Sequence, residues 1–234
     1  AHFARVLASS GARVVLAARR AERLSALVEE LEQQGHSALA VTMDVTDSDS
    51  VEAGFSAAEA AFGVCDILVN NAGIGDPVPF LEMNEGNWRS MLDTNLDGAW
   101  RVAHRACVAM AKGGQGGSVI NIASILGLRV GTALSHYAVA KAGVVQLTKA
   151  MSLELARNNI RVNAIAPGYF RTEMNTDYFD TEHGQNYIRS KVPMRRLGQL
   201  EELDGPLLLL ASEAGAFMTG SVLNVDGGHL SNSL

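Results

Sequence analysis

Little in this sequence could build a disulfide framework or a metal cluster. Its two cysteines, Cys65 and Cys107, sit in apolar surroundings without metal-ligand spacing, so they read as reduced core thiols of a cytosolic protein. The histidines form no ligand pattern either, and no metal site is expected. Long apolar runs are missing: PLLLLAS at 206–212 is far shorter than the roughly 20 residues a membrane span needs. With no signal peptide at the start, a soluble, cytoplasmic protein without membrane partners is the expectation. A basic cluster is lacking too, and a net charge of -6 leaves no electrostatic footprint for nucleic acid. Repeats, low-complexity tracts and interdomain linkers are absent, and GGQGGS at 113–118 reads as a loop feeding a strand.

What remains is a chain of 234 residues, 47% hydrophobic and 19% charged, enough to bury one sizeable core. Short β-branched runs alternate with longer helical patterns. ARVVLAA, SALAVTMDV, CDILVNN, SVINIAS, IRVNAIA and SVLNVDG are the predicted strands. Between them lie predicted helices over 20–34, 47–62, 84–112, 135–157 and 200–212, the first three stopped by Gly35, Gly63 and Gly113. The alternation predicts a doubly wound α/β fold, a parallel sheet with helices on both faces, as a single domain over 1–234. Residues 1–11 read as a helix already under way. A doubly wound sheet normally opens with a buried strand and a glycine-rich turn that cradles a dinucleotide pyrophosphate, so an upstream segment of that kind is expected.

HYAVAK at 136–141 places Tyr137 and Lys141 four residues apart, on one face of a helix, where both side chains can act on one bound molecule. A phenol becomes a usable proton donor and acceptor when nearby positive charge favours its anion. Bringing it from about 10 to about 7 takes roughly 4 kcal/mol, the size of one ion interaction at about 4 Å and an effective dielectric near 20. The plainer reading is a helix that happens to carry both residues.

With YAVAK at 137–141, Ser124 thirteen residues ahead of Tyr137, NNAG at 70–73 and PG at 167–168, the chain resembles a short-chain dehydrogenase/reductase along its whole length. The absent amino-terminal strand and glycine-rich turn are the one large departure from that pattern. The resemblance implies a Rossmann-type three-layer sandwich with Asn95, Ser124, Tyr137 and Lys141 as the catalytic set. Tyr137 would be the acid/base, and Lys141 would lower its pKa together with the oxidised nicotinamide and would hydrogen-bond the nicotinamide ribose. Ser124 would hold the substrate oxygen, and Asn95 would accompany a helix distortion and a proton-relaying water. The plainer readings are a strand-end serine that satisfies local backbone and a solvent-facing Asn95. His136 is not read as the base, because neighbours on a helix point about 100° apart.

The same resemblance assigns the cofactor to Asp44 and Val45 beside the adenine, to the loop Asn71, Ala72 and Gly73, and to Pro167, Gly168 and Thr172 over the nicotinamide, together with Tyr137 and Lys141. In LAARR at 16–20, Ala18 stands where an NAD enzyme usually places an acid, and Arg19 suits a 2′-phosphate. NADP(H) is therefore expected, with NAD(H) as the alternative. The plainer reading makes Arg19 and Arg20 solvated residues at a helix start. Residues 169–197, with Tyr169, Phe170, Met174, Tyr178 and Phe179, are expected to form a substrate lid. Ile125, Leu126, Leu128 and Leu134 are expected to add an apolar wall. The function expected is NADP(H)-dependent reduction of a ketone, on an apolar or 3-oxoacyl substrate. The alternatives are NAD-dependent oxidation of a secondary alcohol, or dinucleotide binding for regulation without chemistry. The resemblance also implies a homotetramer packed through the helices at 84–112 and 135–157.

Overall fold

The computed structural model describes residues 1–171 and 179–232. Helix α1 (His2–Ser9) leads into strand β1 (Val14–Ala18), α2 (Ala21–Gln33) and β2 (Ala38–Thr42). Helix α3 (Ser48–Phe62) and β3 (Ile67–Asn70) follow, then α4 (Glu85–Leu92), a π-helical turn at Asp93–Asp97 and α5 (Gly98–Gly113). The second half runs through β4 (Gly117–Ile122), α6 (Ser135–Leu155), β5 (Ile160–Pro167), α7 (Glu182–Lys191), α8 (Asp204–Ala211) and β6 (Val222–Val225).

Every strand pairing is parallel. The strands form two ladders, β1–β2 and β3–β4–β5–β6, with no hydrogen bonds joining them among the described residues. Alternation along β4 shows why helices cover both faces. Val119 packs among Met43, Phe55, Val102 and Met110 of the α3 and α5 side. Its neighbour Ile120 points the other way, onto Leu207 and Leu210 of α8 and Phe3 of α1. Because all the strands run the same way, their carboxyl ends lie along one edge, where ligands bind in such sheets.

Local chemistry sets the boundaries. Asp47 caps α3 by accepting from the backbone N–H groups of Asp49 and Ser50, and Gly63 ends it at φ 85°. Asn84 and Asn87 exchange reciprocal bonds at the start of α4. The helix predicted over 84–112 carries an inserted π turn in its middle, at the place where a helix distortion is expected with Asn95. The segment at 169–197, expected to form a substrate lid, contains α7, whose Thr181 hydroxyl accepts from Gly184 N–H at 3.0 Å. Helix α7 buries only Gly184 and Ile188, too narrow an apolar stripe to reveal a helix by periodicity.

A chain of buried polar groups runs beneath the carboxyl edge. Asn70 Nδ2 donates to the carbonyl of Ala99 at 2.6 Å and to Asn121 Oδ1 at 3.3 Å. Asn121 Nδ2 donates to Thr148 Oγ1 at 2.9 Å, and Thr148 donates to the carbonyl of Val144 at 2.8 Å. These four bonds tie β3 and β4 to α5 and α6. Thr148→Val keeps the shape and strands the Asn121 amide, so it should cost about 1–3 kcal/mol. A urea midpoint indistinguishable from the parent's would show that the chain of bonds contributes nothing.

Candidate active site

Three elements bring the catalytic candidates together. Strand β4 ends at Ile122, and Ser124 caps the 3-10 turn Ile125–Gly127, with its Oγ accepting from Leu126 N–H at 3.1 Å. Helix α6 presents Tyr137 and Lys141 on one face, as the i, i+4 spacing requires. The Tyr137 phenol lies beside Ser124, whose hydroxyl favours its anion, so the two hydroxyls face one spot at the strand end. Lys141 is only 5% exposed; its Nζ donates to the carbonyl of Ile122 at 2.8 Å and lies 5.8 Å from the centre of the Tyr137 ring.

Asn95 sits in the π turn and is 1% exposed, which rules out the solvent-facing reading. Its Oδ1 accepts from Ile74 N–H at 2.8 Å, and its Nδ2 donates back to the Ile74 carbonyl at 2.9 Å. The inserted residue of a π turn lets one position of a helix turn inward, and here that position clamps the loop after β3. Gly73 is the residue held. A Cβ there would stand 2.9 Å from Asn95 Oδ1 and 3.7 Å from Lys141 Nζ, so the loop lies against both polar groups only because it has no side chain. Asn71, Ala72 and Gly73 are exposed and leave an open backbone floor at the strand ends.

The charges of the site are set by burial. Lys141 is pushed down to about 8 by desolvation, so its ammonium persists at neutral pH. The Tyr137 phenol is pushed up by burial, with the Ser124 bond pulling it partly back. The ammonium donates to the Ile122 carbonyl and faces the Tyr137 ring, and the Ser124 hydroxyl favours the phenolate.

The other candidates fall along the same edge. Arg19 directly follows β1 and is exposed, and Asp44 and Val45 follow β2. Asp44 Oδ1 accepts from the N–H and hydroxyl of Thr46 at 2.9 and 2.8 Å. Those bonds, with the charges of Arg19 and Arg101, hold its carboxyl below the usual range. The Val45 carbonyl accepts from Arg101. Pro167 ends β5, and Gly168 presses on the next strand's exit, where an added Cβ would lie 2.7 Å from Asp226 Cα. Thr172, like Met174 and Tyr178, lies outside the described residues. Ile125 and Leu126 are buried, at 1% and 7% exposure, Leu128 is 40% exposed and Leu134 is half-buried. Sequence reasoning passed over Asn121 and Thr148. Asn70 alone had a signal, as the first residue of NNAG.

A family model described as enoyl-(acyl carrier protein) reductase matches residues 1–229. A gluconate 5-dehydrogenase of Gluconobacter oxydans (strain 621H) is 36% identical over 226 residues, covering 97% of this chain and 88% of the relative. A 3-oxoacyl-acyl-carrier-protein reductase FabG of Chlamydia trachomatis serovar D is 37% identical over 227 residues, covering 97% and 90%. The chain belongs to the short-chain dehydrogenase/reductase family. The crystal structure of a gluconate 5-dehydrogenase from Burkholderia cenocepacia J2315 in complex with NADP and tartrate superposes with a TM-score of 0.95 at 36% identity, over 99% of this chain and 91% of that one. Membership of the short-chain dehydrogenase/reductase family shows a Rossmann-fold oxidoreductase that acts on hydroxyl or keto groups with a nicotinamide dinucleotide.

Tyr137→Phe deletes one oxygen and leaves the ring over Lys141 in place. Turnover should fall by about 10²–10⁴, as for loss of a general acid, with cofactor affinity within a few-fold of the parent. Turnover within a few-fold of the parent would remove Tyr137 from the chemistry.

Proposed function

We propose that this chain is an NADP(H)-dependent reductase that converts a ketone into a secondary alcohol, with Tyr137 as proton donor. The observation that supports the chemistry is the shared hydroxyl pair of Ser124 and Tyr137 beside the buried ammonium of Lys141. A carbonyl oxygen placed between the two hydroxyls accepts a hydrogen bond from each. The reduced nicotinamide, when bound, supplies the hydride. As negative charge develops on the oxygen, Tyr137 gives up its proton and Ser124 keeps its bond to the oxygen. The phenolate left behind is stabilised by Ser124 and by the nearby charge of Lys141. The Lys141 proton is labile near neutral pH and can return through solvent.

The residues present suit a dinucleotide. The side-chain-free approach of Gly73 to Asn95 and Lys141 leaves backbone open at the centre of the edge, and Gly168 permits the close passage beside Asp226. Asp44 and Val45 would border the adenine, Asn71, Ala72, Gly73, Pro167, Gly168 and Thr172 would flank the nicotinamide half, and Lys141 would bond the ribose. Residues 169–197 would close over the substrate. Arg19, with Ala18 before it, carries the preference for the 2′-phosphate. A guanidinium forks two bonds onto a phosphate, and no acid stands at Ala18 to repel it. We also read the protein as a cytoplasmic homotetramer, with the exposed Trp100 on α5 and Val139 and Leu153 on α6 in its interfaces.

Initial rates with NADPH and NADH, in the parent and in Arg19→Ala, test the cofactor reading. The parent should prefer NADPH. Losing one charge-assisted phosphate contact should lower the NADPH/NADH ratio of kcat/KM by about 10- to 100-fold. A parent that prefers NADH, or a ratio unmoved by Arg19→Ala, would show that this arginine does not read a phosphate.

A further inference from the structure

We propose that the segment 226–232 is a strap that fixes helix α7 to the loop between Ser124 and Tyr137, with Arg129 and Asn232 as the positioning residues that fasten its two sides. That this loop carries the reacting hydroxyls rests on the reading above; the strap itself rests on contacts alone.

The loop side begins at Ser124. Gly127 N–H donates to the Ser124 carbonyl at 2.9 Å, and the N–H groups of Leu128 and Arg129 donate to the Ile125 carbonyl at 2.9 and 2.7 Å. Ser124 and Arg129 are therefore the two ends of one hydrogen-bonded turn. Helix α6 lies against it, since a Cβ on Gly127 would stand 2.7 Å from the Lys141 carbonyl. From the far end of the turn, the Arg129 guanidinium donates to the carbonyl of His229. Arginines stitch distant backbone elsewhere in this chain, as Arg161 does to the Leu210 carbonyl at 2.9 Å. A guanidinium stays charged at every physiological pH, so such a stitch does not titrate away.

Asp226 gives the strap its shape. Strand β6 ends at Val225, and the Asp226 carboxylate accepts from Gly228 N–H at 2.9 Å and Leu230 N–H at 2.6 Å. Gly227 and Gly228 take φ 63° and 85°, and added Cβ atoms would stand 2.9 Å from Val192 Cγ1 and 3.1 Å from Pro193 Cγ. The chain leaving α7 thus rests directly on this turn, with Met194 N–H donating to the Gly227 carbonyl at 3.1 Å. The His229 ring follows, 6.5 Å from that of Tyr187 on α7. Asn232 closes the far side: its Nδ2 donates at 2.9 Å to the carbonyl of Lys191, the last residue of α7. Such terminal carbonyls have no partner inside their own helix. The Asn232 N–H donates at 3.3 Å to the His229 carbonyl, the same one that Arg129 holds. Both fasteners therefore meet at one backbone oxygen.

Helix α7 depends on such a fixing. It is ten residues long and buries only Gly184 and Ile188. Its apolar cluster, Phe179, Ile188 and Val192 with Tyr169, Tyr187 and Leu197, is drawn entirely from 169–197. A helix this short is marginal alone, and its place is set by what it is tied to.

Backbone hydrogen exchange, read by mass spectrometry on the full chain, tests the strap in the parent, Arg129→Met, Asn232→Ala and the double variant. Cutting one fastener should loosen the element on the other side. Arg129→Met should speed exchange in 182–191, and Asn232→Ala should speed it in 125–134. Each effect should be about 3- to 10-fold, the worth of one hydrogen bond, with β4 exchanging as in the parent. Because both variants open the same strap, the double variant should exchange no faster than about twice the faster single. Arg129→Lys, which keeps a donor, should restore part of the protection of 182–191. With NADPH and 5-keto-D-gluconate or acetoacetyl-coenzyme A, both singles should lower kcat by about 3- to 10-fold, and the double by no more than about twice the worse single. Exchange that rises only in the segment carrying or touching the substitution, or a double variant whose effects multiply, would overturn the strap. An unchanged kcat in both singles would overturn the positioning role. If Arg129→Met does not fold, exchange at 125–134 in Asn232→Ala decides. A parent that reduces neither carbonyl would count against the reductase reading, and the exchange pattern would still decide the strap.

Discussion

The ammonium of Lys141 against the carbonyl of Ile122 joins the end of a central strand to the helix that carries Tyr137. A charge this deeply buried loses most of its hydration, and a single carbonyl at 2.8 Å replaces only part of it. The consequence is the shift to about 8, below the ordinary value of 10.5. Folding therefore favours release of this proton. The stability this group contributes rises with pH between about 8 and 10.5, and below that window the charged form is retained at a cost. The fold accepts that cost to hold a cation within 5.8 Å of the Tyr137 ring centre.

Several local features become intelligible as support for that charge. Asn95 clamps the same loop, and the π turn is what allows a residue in the middle of a long helix to do so. Gly73 between them has no room for a methyl group. Beneath, the Asn70, Asn121 and Thr148 bonds lock β3, β4 and α6 in register, so the strand ends and the helix cannot shift independently. A proton-transfer site needs its groups placed to within about half an ångström, and rigid elements with satisfied polar neighbours supply that.

The fold was largely legible because it rests on periodicity. β-branched runs alternate with amphipathic helices, and glycines at positive φ stop α2, α3 and α5 at or within a residue or two of where the sequence placed them. Ser124, Tyr137 and Lys141 were legible because their spacing is fixed within one short stretch of strand, loop and helix. What escaped depends on contacts across long separations or on solvation. Nothing near Asn121 in sequence announces Thr148, 27 residues away. The burial that raises Tyr137 in the assembled site is not encoded by a sequence motif, nor is the backbone carbonyl that Lys141 meets.

The state of Lys141 is the direct measure of this arrangement. The chain has four lysines, so isotope-labelled side-chain signals can be followed individually through a pH titration, with Lys141→Arg identifying the signal in question. We expect the signal lost in Lys141→Arg to titrate with a midpoint near pH 8. If that signal instead titrates at or above the ordinary value of 10.5, the ammonium is not buried against the Ile122 carbonyl, and the site is not organised around it.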